Sequence, residues 1–140
     1  MKYKVVKGLR RYNIPNSIAT ALFSEAAKAL PNTYPKPNQV ACALLTVSSN
    51  IYQGVDYRTQ IMSLTMHAEA TALANAVIHG DKEVIAITGE NCHACKQLLW
   101  ENAIHFGNDI IILIKEEKRI RKVALSKIML YAFPKNHWEK

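Results

Sequence analysis

At 140 residues with 49% hydrophobic side chains, the chain has the length and apolar content for one domain, residues 1–140, with a single core and no second one. It begins Met-Lys-Tyr-Lys-Val-Val-Lys without the apolar run of a secretory leader, no stretch approaches bilayer length, and three cysteines are too few for a disulfide framework. A cytoplasmic protein is expected, and the net charge of +7 raises nucleic acid as a partner.

In chain order, the first basic cluster is Lys2, Lys4, Lys7, Arg10 and Arg11, and a second surrounds Lys115, Lys118, Arg119, Arg121 and Lys122. Runs of this kind read as solvated edges or turns, and no interleaved aromatic stripe that would stack bases accompanies them, which disfavours a nucleic-acid partner. Ile18 to Leu30 is predicted helical, with Ala19, Leu22, Ala26 and Leu30 on its apolar face and Pro31 as its stop. Gln39 to Val47 and Ile51 to Arg58 are predicted strands of a hairpin turned by Ser48-Ser49-Asn50, with Cys42 a small buried residue of the first.

A second helix is predicted from Met66 to His79, with Thr65 as N-cap, Ala70, Leu73, Ala74 and Val77 on the apolar face, and Gly80 as the stop. Glu83 to Thr88 reads as a buried strand, and Cys92 and Cys95 open a third helix through Lys96-Gln97-Leu98-Leu99-Trp100-Glu101. Asp109 to Ile114 is another buried strand. Lys115-Glu116-Glu117-Lys118 allows only a tight turn before Arg119 to Ala124, so the last two strands should be antiparallel, because a parallel pair needs a long crossover. A short helix near Leu125 to Leu130 follows. The expectation is a three-layer α/β/α sandwich around a five-stranded mixed sheet.

Two motifs carry chemistry. His67-Ala68-Glu69 is an H-x-E element and Cys92-His93-Ala94-Cys95 a C-x-x-C element, each on a predicted helix start, with one strand between them. Together they match the zinc deaminase pattern, in which one His and two Cys hold Zn²⁺ while the Glu stays off the metal as general acid and base. Water, with a pKa near ~16, is a poor nucleophile at neutral pH, and Zn²⁺ on three protein ligands with an open fourth position lowers that pKa to about 7. The Glu then moves protons to the ring nitrogen and the leaving amine. His67, Cys92 and Cys95 are therefore the expected metal ligands and Glu69 the catalytic residue. His93, inside the C-x-x-C, is expected to point away from an ion that the two cysteines share. Either half alone is weak, since C-x-x-C also serves redox pairs and structural zinc sites.

These residues, with Tyr34-Pro35, Val40 to Thr46, Tyr52-Gln53-Gly54-Val55 and the stretch Leu125 to Pro134, give a chain that resembles the cytidine deaminase family and the related blasticidin-type deaminases. The antiparallel last strands fit that resemblance, because a helix intervenes there in the transfer-RNA adenosine deaminases. The resemblance implies a homotetramer in which Phe133 aligns with an aromatic that reaches a neighbouring subunit's pocket, and it sets Asp56, Arg58 and Ala68 at the substrate. From the sequence alone, Tyr131 and Phe133 would read as core aromatics. His79, His105, His137, Trp100 and Trp138 carry no motif and read as structural or surface residues.

Departures from the family pattern bear on specificity. His67 stands where the family usually has Cys and Ala70 where it has Arg, a consistent pair, since a His with two thiolates leaves less excess negative charge to offset. Asn91 replaces a Pro before Cys92, which reads as a looser loop, and the short segment from Thr88 to Cys92 implies a more open site. Asp56 and Arg58 align with the Asn and Glu that read the ribose. Arg58 is a donor-only cation, so the hydrogen-bond polarity is inverted and an acidic group on the substrate is favoured. The sequence thus points to a zinc-dependent hydrolase acting on the C–N bond of a cytidine-like nucleoside or related aminated heterocycle, with water as co-substrate and ammonia as product. Two rivals stand beside it: a polynucleotide deaminase and a non-catalytic zinc module of the same fold.

Overall fold

A computed structural model of the chain describes residues 1–89 and 91–135; His137 and Trp138 therefore lie outside the described residues. Ten main elements follow in order: β1 (Tyr3–Val6), β2 (Leu9–Tyr12), α1 (Asn16–Ala29), β3 (Ala41–Thr46), β4 (Ile51–Val55), α2 (Ala68–Ile78), β5 (Val84–Thr88), α3 (His93–Phe106), β6 (Ile111–Lys115) and β7 (Ile120–Ala124). Five strands form one mixed sheet in the order β4-β3-β5-β6-β7. The β5–β6 pair is parallel and every other neighbour pair antiparallel, including β6–β7, whose turn is closed by the Glu116 N–H donating to the Arg119 carbonyl at 2.9 Å.

Helices cover both faces of the sheet. Alternation along the strands sorts the side chains: Ala43 and Leu45 of β3 and Ile111 and Leu113 of β6 pack with Ala19 and Leu22 of α1. Cys42, Leu44 and Ile112 point the other way, toward Ala72 and Ala76 of α2 and Leu99 and Ala103 of α3. The expected α/β/α sandwich is the observed one. No helix among the described residues is long and apolar enough to cross a membrane.

Three local expectations are corrected. In α2 the buried stripe is Ala68, Ala72 and Ala76, while Ala74 and Val77 are exposed. The cause lies in β4, where a Cβ on Gly54 would fall 2.1 Å from the Ala68 carbonyl oxygen, so the helix lies on bare backbone and only alanines fit the contact. The helix also starts later than Met66, because the Met66 and Tyr57 backbones exchange two hydrogen bonds of 2.9 Å. His67 becomes the N-cap, and the Thr65 hydroxyl turns instead to the Thr59 N–H at 3.1 Å.

The N-terminal hairpin β1–β2 was not anticipated; it turns on Lys7 and Gly8, which both have positive φ (50° and 82°), as a two-residue hairpin of this hand requires. Its arginines are not a solvated edge. Arg10 donates through Nε to Asn108 Oδ1 (2.9 Å) and through Nη2 to the Phe106 carbonyl at the end of α3 (2.7 Å), while Arg11 pairs with the buried Asp109 at 2.8 Å. Tyr131 and Phe133 are exposed rather than core.

Candidate active site

The site is assembled by two helix starts. His67 caps α2 and Cys92 caps α3, with Cys95 in the first turn of α3, so the positive ends of both helices converge where anionic ligands are favoured. Gly54 sets the approach of α2, and Thr71 locks it: its hydroxyl accepts from the Val55 N–H and donates to the Val55 carbonyl, both at 2.8 Å.

The ligand atoms of His67, Cys92 and Cys95 all lie within 4.8 Å of one another. His67 Nδ1 is 3.1 Å from Cys95 Sγ and 3.4 Å from Cys92 Sγ. A tetrahedral Zn²⁺ with bonds of about 2.0–2.3 Å asks for ligand separations of roughly 3.3–3.8 Å, so the donor set fits zinc in type and spacing with small adjustments. His93 is exposed and outside the cluster. In the metal-free protein, burial, hydrogen bonding with Cys92 and the charge of Glu69 push the Cys95 thiol up.

Glu69 sits in the first turn of α2, only 7% exposed. Its Oε2 accepts from Asn91 Nδ2 at 2.9 Å. Asn91 carried no role in the sequence beyond standing before Cys92; only its contact with a residue 22 positions earlier reveals one. Cys42 is buried as expected, and burial, with the charges of Glu69 and Asp56, pushes its thiol up.

A cavity of about 450 Å³ opens onto this centre, lined by Val40, Asp56, Arg58, Thr59, Met62, Thr65, His67, Glu69 and Cys92. Arg58 therefore faces the pocket. Its Nε donates to Asp56 Oδ2 at 2.8 Å, with Asp56 buried and the Arg58 side chain half exposed. Ala68 is fully buried and is not among the lining residues. Phe133 is also outside this cavity: its carbonyl accepts from Gln97 Nε2 at 2.6 Å on α3, while the residue is 78% exposed. A larger cavity of about 840 Å³ lies between the N-terminal hairpin, Trp100 and residues 126–135, but His67 and Cys92 of the His/Cys cluster line the smaller one.

Residues 16–106, from α1 through α3 and containing His67, Glu69, Cys92 and Cys95, match the family described as the cytidine and deoxycytidylate deaminase zinc-binding region. The cytidine deaminase of Sodalis glossinidius (strain morsitans) is 32% identical over 81 residues, which are 55% of this chain and 25% of that protein, so the match spans a quarter of the relative's length. Among solved structures, the cytidine deaminase from Mycobacterium tuberculosis is similar with a TM-score of 0.66 at 22% identity, covering 81% of this chain and 95% of that one. The cytidine deaminase from Burkholderia pseudomallei gives 0.66 at 23%, covering 81% and 98%. These two likenesses establish the fold, and the match over residues 16–106 establishes the family: the chain belongs to the cytidine and deoxycytidylate deaminases.

Proposed function

We propose that this protein is a zinc-dependent hydrolytic deaminase of a cytidine-like nucleoside or related aminated heterocycle, working as one domain of residues 1–140. The observation that carries this reading is the trio His67, Cys92 and Cys95 brought together beside a buried Glu69 on the wall of one cavity. In that reading the trio holds Zn²⁺ and Glu69 stays off the metal. A purely structural zinc site has no use for such a carboxylate.

Bound there, zinc supplies the acidity that makes water a nucleophile near neutral pH. Glu69 takes a proton from the attacking water and delivers it to the ring nitrogen, then takes the remaining proton from the oxygen now bonded to carbon and passes it to the departing amine. A C–O bond forms at the carbon that bears the amine, its C–N bond breaks, and ammonia leaves. Asp56 and Arg58 line the same cavity 2.8 Å apart, one an acceptor and the other a donor-only cation. The Arg58 Nη groups make no hydrogen bond among the described residues, which suits a substrate with a phosphate or carboxylate substituent. We assign Phe133 to a neighbouring subunit's pocket in a homotetramer; the tether of its backbone to Gln97 and its exposure support this, together with the exposed Val77, Ile78, Leu130 and Tyr131.

The test is ammonia release by the zinc-loaded protein and its Glu69→Gln variant against cytidine, deoxycytidine, their monophosphates, blasticidin S, free aminated bases and pterins. Turnover that the variant loses is expected. Silence across the panel with one zinc per chain would overturn the reading.

A further inference from the structure

We propose that Asn91 is a positioning residue that holds the Glu69 carboxylate in its working orientation, an inference that rests on Glu69 being the proton carrier. Asn91 and Glu69 belong to different elements, the first preceding α3 and the second in the first turn of α2, and each comes from a segment that also supplies a metal ligand. Asn91 is 4% exposed and its Nδ2 lies 2.9 Å from Glu69 Oε2. Away from competing water, a hydrogen bond to a carboxylate is a strong orienting contact for a side chain with three rotatable bonds.

The other end of the amide makes the case. Asn91 Oδ1 is buried without a hydrogen-bond partner among the described residues. A structural asparagine in a core has both ends satisfied, because an unpaired buried acceptor is costly. Here the amide accepts that cost and points its donor at Glu69. Turning it over would set two lone-pair-bearing oxygens face to face, so the carboxylate dictates the amide's orientation and the amide in turn fixes one carboxylate oxygen. The remaining oxygen, Oε1, is then the one that handles the proton. A proline before Cys92 has no side-chain donor, so this device depends on the asparagine in this chain.

The experiment compares wild type with Asn91→Ala, Asn91→Asp and Glu69→Gln in the full-length zinc-loaded protein, reading zinc content, melting temperature, and kcat and KM with cytidine and deoxycytidine. Asn91→Ala should lower kcat about 10- to 100-fold, the usual effect of removing an orienting partner, with KM within roughly threefold and one zinc retained. Asn91→Asp keeps the shape but sets an acceptor against the carboxylate, and should lose more than alanine does. A role in shape alone predicts the reverse order. An independent readout is the ¹⁵N side-chain amide resonance of Asn91, expected to be protected from hydrogen exchange in wild type and exposed in Glu69→Ala. Full kcat in both Asn91 variants beside an inactive Glu69→Gln, or an unprotected Asn91 amide in wild type, overturns this inference alone. Retained activity in Glu69→Gln overturns the functional reading and this inference with it.

Discussion

The Arg58 guanidinium meets the Asp56 carboxylate at 2.8 Å on the wall of the cavity that His67, Glu69 and Cys92 also line. Asp56 is buried and anchored through its backbone, its N–H donating to the Val40 carbonyl at 2.9 Å, so it fixes the cation rather than the reverse. One guanidinium edge is spent on this pair, and the other can receive an anionic group in a fork.

The first prediction follows from that geometry. Arg58→Ala should raise KM for cytidine monophosphate or its deoxy form by about 10- to 100-fold, the equivalent of roughly 1.5–3 kcal/mol for a hydrogen bond to a charged group. The neutral nucleosides should change by no more than about threefold. Steady-state kinetics on matched pairs decide it; an equal effect on both would leave Arg58 with the task of holding Asp56 only.

Gly54 offers a second. An added Cβ would lie 2.1 Å from the Ala68 carbonyl oxygen and 2.6 Å from the Ala72 Cβ, both in the part of α2 that presents His67 and Glu69. Gly54→Ala must push the helix off the sheet and should destabilise the protein by about 3 kcal/mol or more. Because the displaced helix carries a ligand, zinc affinity should fall in parallel. Urea denaturation and zinc titration measure the two, and loss of stability with unchanged zinc affinity would uncouple this contact from the site.

The clustering of His67, Cys92 and Cys95 was legible because few residue types suit that chemistry and their spacings are short. The face of α2 was not. In Ala68-Glu69-Ala70-Thr71-Ala72-Leu73-Ala74-Asn75-Ala76-Val77-Ile78 apolar residues occur all round the helix, so periodicity cannot choose a stripe; the glycine of another strand chooses it. Arg10 and Arg11 read as surface charge because their partners, Phe106, Asn108 and Asp109, lie nearly a hundred positions away. Asn91 was hidden for the same reason: its partner is defined by the fold, and the residue type alone says only that the loop is polar.

Asp81 joins the hairpin β3–β4 to the segment after α2, and its Oδ2 accepts from Thr46 Oγ1 (2.7 Å), Asn50 Nδ2 (2.9 Å) and Tyr52 OH (3.1 Å). Desolvation works to raise its pKa, but the hydrogen bonds from Asn50, Thr46, Tyr52 and Ser48 outweigh it and hold the carboxyl below its ordinary value. A folded-state pKa below the unfolded one contributes stability above the unfolded value and loses it as pH falls through the folded one. Asp81→Ala should therefore cost about 1–2 kcal/mol at pH 7, a modest figure because solvent screens this site, and the deficit should shrink on acidification. Denaturation midpoints of both proteins from pH 7 to pH 3 provide the check; a pH-independent gap would assign the loss to packing.

Zinc uptake should itself depend on pH. The Cys95 thiol is pushed up in the metal-free protein by burial, by hydrogen bonding with Cys92 and by the charge of Glu69, so at neutral pH it carries its proton and must lose it to become a ligand. Binding then releases protons, and by mass action affinity rises with pH and falls on acidification. The same linkage reaches stability, since a metal that binds only the folded chain adds about 4 kcal/mol when its free concentration is a thousandfold above Kd. The zinc-induced rise in melting temperature should accordingly grow from pH 6 to pH 8, and zinc titration in weak buffer should acidify the solution. Cys95→Ser should weaken both effects without removing them, because a serine hydroxyl does not ionise near neutral pH while Cys92 still gives up its proton to the metal. A zinc-induced stabilisation equal at pH 6 and pH 8, with no proton release, would mean that the ion is held without either cysteine sulfur.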